Sequence, residues 1–222
     1  MKNEHTNTAL KQQLDHRKQT FNESAPEGMK VTYAEGIQAV AESGVVKRAK
    51  QVGASAPDFE LKNAAGECVR LSDALKHGPV VLTWYRGGWC PYCNLTLRAL
   101  QEKLPAFQAE GASLMALSPE KPDQSLSTRE KSELEFEVLS DLNNHVAREY
   151  GIVYKLTEGV ASIYEEKFSM ASHNGNDSNE LPLAATYVIN REGKVVYAFL
   201  DADYRNRAEP SEIVDALKQL NS

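Results

Sequence analysis

The chain has little cysteine. Cys68, Cys90 and Cys93 are its only thiols in 222 residues, too few for the disulfide framework that holds small secreted domains together. Long apolar runs are missing as well. No stretch approaches the roughly 20 apolar residues that span a bilayer, and residues 1–30 are polar, without the continuous apolar core of a secretory signal. The expectation is a cytosolic protein with no membrane partner. Nor is there a basic excess: the formal net charge is -6, and a mildly acidic surface repels nucleic acid, so none is expected as a partner. In a reducing compartment, a close cysteine pair reads as catalytic or metal-binding rather than structural.

What is present is an ordinary globular composition, 41% hydrophobic and 25% charged, enough for one compact core with added elements. Leu10, Leu14 and Phe21 in a polar background predict an amphipathic helix from Thr8 to about Ser24. A second helix follows Pro26, with Val31, Ala34, Ile37 and Ala41 as its apolar face and an end near Ser43-Gly44. Neither helix carries obvious chemistry. They read as an extension that packs on the main domain or on a partner subunit, which makes a homodimer plausible. Val52 to Pro57 is a small-residue linker, dividing a helical extension (1–52) from the main domain (53–222).

The main domain opens with a hairpin, Phe59-Glu60-Leu61 and Val69-Arg70-Leu71 around the turn at 63–66, then a short helix at Ser72 to Leu75. Pro79 to Tyr85 is a near-continuous β-branched and aromatic run, as in a strand buried on both faces. Two glycines and the cysteine pair follow, and then Leu95, Leu97, Leu100, Leu104 and Phe107 at helical spacing. Strands at Ser113 to Leu117 and Phe136 to Leu139 alternate with helices led by Pro122 and His145, which implies a parallel sheet. A polar insertion over 156–180 contains a helix at Val160 to Phe168 and a loop at Ser172 to Asn179. Thr186 to Ile189 and Val195 to Leu200 form a hairpin, and a last helix opens at Glu209-Pro210.

The chemistry concentrates in Trp89-Cys90-Pro91-Tyr92-Cys93. Two cysteines three positions apart in the first turn of a helix lie on one side and can close a disulfide. Cys90 falls at the N-cap, with Pro91 at the first helical position where its missing N–H costs nothing. The positive end of the helix dipole then favours a Cys90 thiolate, making it the nucleophile, and Cys93, less exposed, the resolving thiol. Arg86 either stabilises this thiolate and orients a substrate oxygen or pairs with a surface carboxylate. Zinc would need two further ligands. Cys68 and one of His77, His145 or His173 are the candidates, but no second paired motif exists and no metal is expected. Cys68 reads as a half-buried packing residue of the opening hairpin. His173, Asn174, Asp177 and Glu180 either approach the thiols or belong to a solvated loop.

Tyr85-Arg86-Gly87-Gly88-Trp89-Cys90-Pro91-Tyr92-Cys93-Asn94-Leu95, with Ala56-Pro57-Asp58-Phe59 upstream and Leu181 to Ile189 downstream, resembles the AhpC/TSA peroxiredoxin-like branch of the thioredoxin superfamily. The resemblance implies an α/β, thioredoxin-like (peroxiredoxin-type) three-layer sandwich behind the N-terminal helices. It implies a peroxidase without a cofactor, in which Cys90 attacks a hydroperoxide, becomes a sulfenic acid, and forms a disulfide with Cys93 that thioredoxin or a similar reductant restores. Arg86, Gly87 and Trp89 are the implied substrate-binding residues. Two positions depart from that pattern: Gly87 stands where peroxiredoxins usually carry Thr or Ser, and Ala184-Ala185 where many carry an activating Arg. Cys90-Pro91-Tyr92-Cys93 is also similar to the glutaredoxin tetrapeptide, and Trp89 to its counterpart in thioredoxins, so a general thiol-disulfide oxidoreductase is the second reading and a redox sensor without turnover the third.

Overall fold

The computed structural model describes residues 9–63 and 65–221. Two helices open it, α1 (Leu10–Ser24) and α2 (Glu27–Glu42), followed by a single turn, α3 (Val45–Arg48). The hairpin β1 (Glu60–Lys62) and β2 (Cys68–Arg70) leads through α4 (Leu71–Leu75) into β3 (Val80–Trp84). Then come α5 (Pro91–Ala109), β4 (Ser113–Ser118), α6 (Pro122–Lys131), β5 (Glu137–Ser140) and α7 (His145–Glu149). The next segment holds β6 (Val153–Lys155), α8 (Glu158–Phe168), α9 (Met170–Asn174) and β7 (Glu180–Pro182). The hairpin β8 (Thr186–Ile189) and β9 (Val195–Phe199) and the helix α10 (Pro210–Leu220) close the chain.

The central sheet has the order β5-β4-β3-β8-β9. Strands β3, β4 and β5 run parallel, and β8 and β9 are antiparallel additions. All five residues of β3 are buried, as expected for a central strand covered on both faces. The side chains alternate between two cores. Val81 packs with Leu14 of α1, Leu97 and Leu100 of α5 and Ile213 of α10. Leu82 and Trp84 pack on the other face with Val40 of α2, Val146 of α7 and Tyr164 of α8. The result is the expected three-layer α/β sandwich, and β3 delivers the chain directly to the cysteine pair.

The N-terminal helices pack on the body of their own chain. Leu10 and Leu14 of α1 are buried in the α5–α10 layer. The Glu209 carboxylate, just ahead of α10, accepts the free N–H groups of Leu10 and Lys11 at 3.0 Å each, so that one side chain caps α1 and ties it to α10. Helix α2 packs against α8 with Tyr33 and Val40 inward. The face expected from Val31, Ala34, Ile37 and Ala41 is therefore misphased: Val31 is exposed, and Tyr33 turns inward because its ring packs on Tyr164 at 5.9 Å.

Three further expectations change. The presumed linker is pinned as a strip alongside β9, with Gly53 N–H donating to Val195 O, Val195 N–H to Ala54 O, and Ala56 N–H to Gly193 O. Gly53 is exposed and takes a positive φ of +90°, the conformation that favours glycine. The loop at Ser172 to Asn179 begins inside α9, and β6 and β7, strands of three residues each, are too short for a periodic signal. Cys68 is exposed, because β2 lies at the sheet surface with only Val69 facing inward.

Burial of α1 has a measurable consequence. Leu14→Ala empties a site that is 3% exposed and is expected to lower unfolding free energy by about 2–5 kcal/mol within one cooperative transition, checked by chemical denaturation. Loss of a separate early transition, with the main one unmoved, would show that α1 is independent of the core.

Candidate active site

Strand β3 ends at Trp84, and Tyr85 N–H still donates to Leu117 O at 2.9 Å. The chain then turns through Arg86, Gly87, Gly88 and Trp89, and Cys90 N–H closes the turn on Gly87 O at 3.1 Å. Neither glycine has room for a side chain. A Cβ at Gly87, whose φ is +154°, would run into the indole of Trp89, and one at Gly88 into the Thr128 hydroxyl on α6. The Thr or Ser of the related pattern has no space here because the Trp89 ring fills it. Cys90 is the N-cap of α5, in extended backbone, and Pro91 opens the helix, as expected.

Arg86 does not reach a surface carboxylate. It is 2% exposed, and among the described residues no acidic side chain forms an ion pair with it. Its Nη2 donates to Cys90 Sγ at 3.1 Å and its Nη1 to the Tyr164 hydroxyl at 2.7 Å. The guanidinium carbon lies 3.7 Å from the centre of the Tyr204 ring and 5.2 Å from those of Trp89 and Tyr164. Aromatic faces attract a cation, and the thiolate supplies the counter-charge that a buried cation requires.

The second sulfur has its own donors. Arg86 backbone N–H lies 3.4 Å from Cys93 Sγ, and Arg207 Nη2 lies 3.5 Å from it. Arg207 is held in place by donating its Nη1 to the carbonyls of Tyr204 and Asn206. Both thiols are reduced and fully buried, so the expectation that Cys90 is the exposed member does not hold: Arg86 and the surrounding rings lie over it.

These contacts separate the two thiols. Burial alone pushes Cys90 up, but the hydrogen bond it receives from Cys93 and the charges of Arg86 and Arg207 outweigh burial and hold it well below the usual thiol range. Cys93 goes the other way: burial, its hydrogen bond to Cys90 and the negative charge there raise it well above. The two shifts run in opposite directions, favouring the thiolate at Cys90 and the thiol at Cys93. Burial also raises Tyr164 and Tyr204 out of the ionisable range, so both stay neutral partners of Arg86.

An open cleft leads to this assembly. Arg86, Trp89, Pro91 and Tyr92 form its inner end, α8 contributes Tyr164, Lys167 and Phe168, and the N-terminal helices contribute Arg17, Phe21, Met29 and Tyr33. Trp89 stacks on Phe168 at 5.2 Å and stands between this cleft and a polar one on its other side. His173 lines the polar cleft and contacts the buried Glu120 carboxylate at 3.1 Å. Of the four loop residues considered, His173 alone comes to the flank of the thiol turn; Asn174 is buried, Asp177 is exposed and Glu180 pairs with Arg148. Tyr164, Tyr204 and Arg207 carried no local sequence signal, lying 74, 114 and 117 positions from Cys90 (164, 204 and 207 minus 90). Among the described residues, no group of three or more His, Cys, Asp or Glu could hold a metal ion.

Residues 52–198, more than half of the chain, match the AhpC/TSA family model. A chloroplastic protein of indica rice named as a putative peroxiredoxin Q is 28% identical over 171 residues, 77% of this chain and 66% of its own length, so the chain spans just under two thirds of that relative. Peroxiredoxin Q of Sedum lineare is 25% identical over 209 residues, 92% of this chain and 97% of its own. The crystal structure of peroxidoxin BcpB from Mycobacterium tuberculosis superposes with a TM-score of 0.62 at 22% identity, covering 78% of this chain and 99% of the other, which shows a shared thioredoxin-like fold. On the family match and this fold, the chain belongs to the AhpC/TSA family.

Proposed function

We propose that the chain is a thiol-dependent peroxidase in which Cys90 reduces a hydroperoxide, Cys93 resolves the oxidised sulfur, and a thioredoxin-like dithiol protein restores the pair. The observation that carries this reading is the contact of 3.1 Å between Arg86 Nη2 and Cys90 Sγ in a site where, among the described residues, Arg86 has no carboxylate partner. The Cys90 thiolate attacks the outer oxygen of the hydroperoxide, the O–O bond breaks, and the remaining alkoxide or hydroxide leaves and takes a proton. Arg86, beside the sulfur, also offsets the charge on that leaving oxygen. Cys93 then attacks the sulfenic acid, water leaves, and the disulfide forms. Arg207 and the Arg86 N–H, already facing Cys93, favour the thiolate this second step needs. Trp89 walls the approach and packs on Arg86, and Gly87 makes room for it. Because both sulfurs are fully buried, a peroxide reaches Cys90 only when the covering side chains shift.

Purified protein supplied with thioredoxin or dithiothreitol is expected to consume peroxide, and Cys90→Ser to lose that activity. Cys93→Ser should undergo one round of Cys90 oxidation and stall as a sulfenic acid or mixed disulfide, read by mass spectrometry after one equivalent of peroxide; an unmodified Cys90 would refute the assignment. A parent protein that ignores peroxide but reduces a model protein disulfide would establish the oxidoreductase reading instead.

The pH dependence follows from the sign of the Cys90 shift. A thiol held below its ordinary value stays ionised at neutral pH, so the rate of Cys90 oxidation is flat there and falls only as acid brings the pH through the lowered value. Arg86→Gln moves that fall up towards the ordinary thiol value of about 8.5 and lowers the rate at neutral pH by about 10-fold or more. An unchanged profile in this variant would remove Arg86 from the proposed role.

A further inference from the structure

We propose that the two N-terminal helices form a substrate-selecting subsite for a hydroperoxide whose organic part is apolar and carries a carboxylate; this rests on the peroxidase reading above. The cleft over Arg86 encloses about 600 Å³, counting its open mouth. Its walls are a chain of rings: Phe21 lies 5.4 Å from Tyr33, Tyr33 is 5.9 Å from Tyr164, and Trp89 is 5.0 Å from Tyr164 and 5.2 Å from Phe168. Met29 fills the gap beside them. Hydrogen peroxide has no apolar surface to bury against such a wall, whereas a hydrocarbon chain does.

The mouth differs from the walls. Arg17 of α1 and Lys167 of α8 are exposed and line the same cleft from two helices. Among the described residues neither has a carboxylate partner; the Lys167 ammonium contacts Met29 Sδ at 3.5 Å, which keeps it on the α2 side of the opening. Two unneutralised cations at the rim of an apolar cleft, on a chain of net charge -6, are a receptor for an anion. An apolar chain with its hydroperoxide inward and its carboxylate at the rim satisfies both ends. The reacting atoms are unchanged: the sulfur takes the outer oxygen and the acid leaves as its alcohol. Helices α1 and α2 lie outside residues 52–198, the region matched by the family model, so the two helices supply the cleft with side chains from beyond that region.

The test compares kcat/KM of the full chain, with a fixed thiol supply, for a long-chain unsaturated fatty-acid hydroperoxide below its micelle concentration, for the methyl ester of the same hydroperoxide, and for hydrogen peroxide. The acid is expected to exceed the ester by about 5-fold at low ionic strength, and the ratio to fall towards one at high salt and in Arg17→Ala/Lys167→Ala. Phe21→Ala should lower kcat/KM for the ester more than for hydrogen peroxide. Equal rates for acid and ester, or a preference that survives in the double variant, overturn the subsite; if hydrogen peroxide is still consumed, the peroxidase reading stands without it. No consumption of any peroxide by the parent overturns both.

Discussion

A buried guanidinium that, among the described residues, has no carboxylate beside it is the constraint around which this site is organised. Removing an arginine from water costs several kcal/mol, and an unpaired buried charge keeps that penalty. Arg86 meets it with a sulfur at 3.1 Å, a tyrosine hydroxyl at 2.7 Å and three aromatic faces. Of these partners Cys90 alone is shifted towards its anion, since burial holds Tyr164 and Tyr204 in their neutral forms. The interior is electrically balanced when Cys90 is a thiolate. The start of α5 contributes its dipole, but against burial the thiol is held low by the hydrogen bond from Cys93 and by the charges of Arg86, four positions earlier in the chain, and Arg207.

The asymmetry between the thiols follows from the same arrangement. Cys90 receives the guanidinium and the Cys93 proton; Cys93 has the Arg86 backbone N–H and the more distant Arg207. The two sulfurs are thereby driven apart, Cys90 towards the thiolate and Cys93 towards the thiol. The covering side chains come from four separate places: the thiol turn, α8, the loop before α10 and the N-terminal helices. That is why α1 and α2 belong to the site as well as to the core. Glu209 capping α1 and Tyr33 packing on Tyr164 place their side chains over Arg86.

Much of this was legible in the sequence, for identifiable reasons. The buried run of β3, the proline at the start of α5 and the two cysteines one turn apart are local signals, and each leads to a local structure that the chain adopts. Gly87 could be seen as a departure from the related pattern, but its cause, the Trp89 ring in the space of a side chain, is a tertiary contact. Arg86 could be noticed while its partner stayed ambiguous, because a surface carboxylate and an internal thiolate look the same at this level. Tyr164, Tyr204 and Arg207 are invisible locally, since long-range folding alone brings them to the thiols. The misphased face of α2 has a similar origin: Tyr33, which is not part of the expected face, turns inward to pack on Tyr164.

The most direct test of the central claim is a titration of the Cys90 thiolate by its ultraviolet absorbance in the reduced parent and in Arg86→Gln. The account requires the parent thiolate to persist well below the ordinary thiol range of about 8.5 and the variant to titrate markedly higher. A parent thiol that titrates at its ordinary value, or a low value that survives the loss of Arg86, would contradict it.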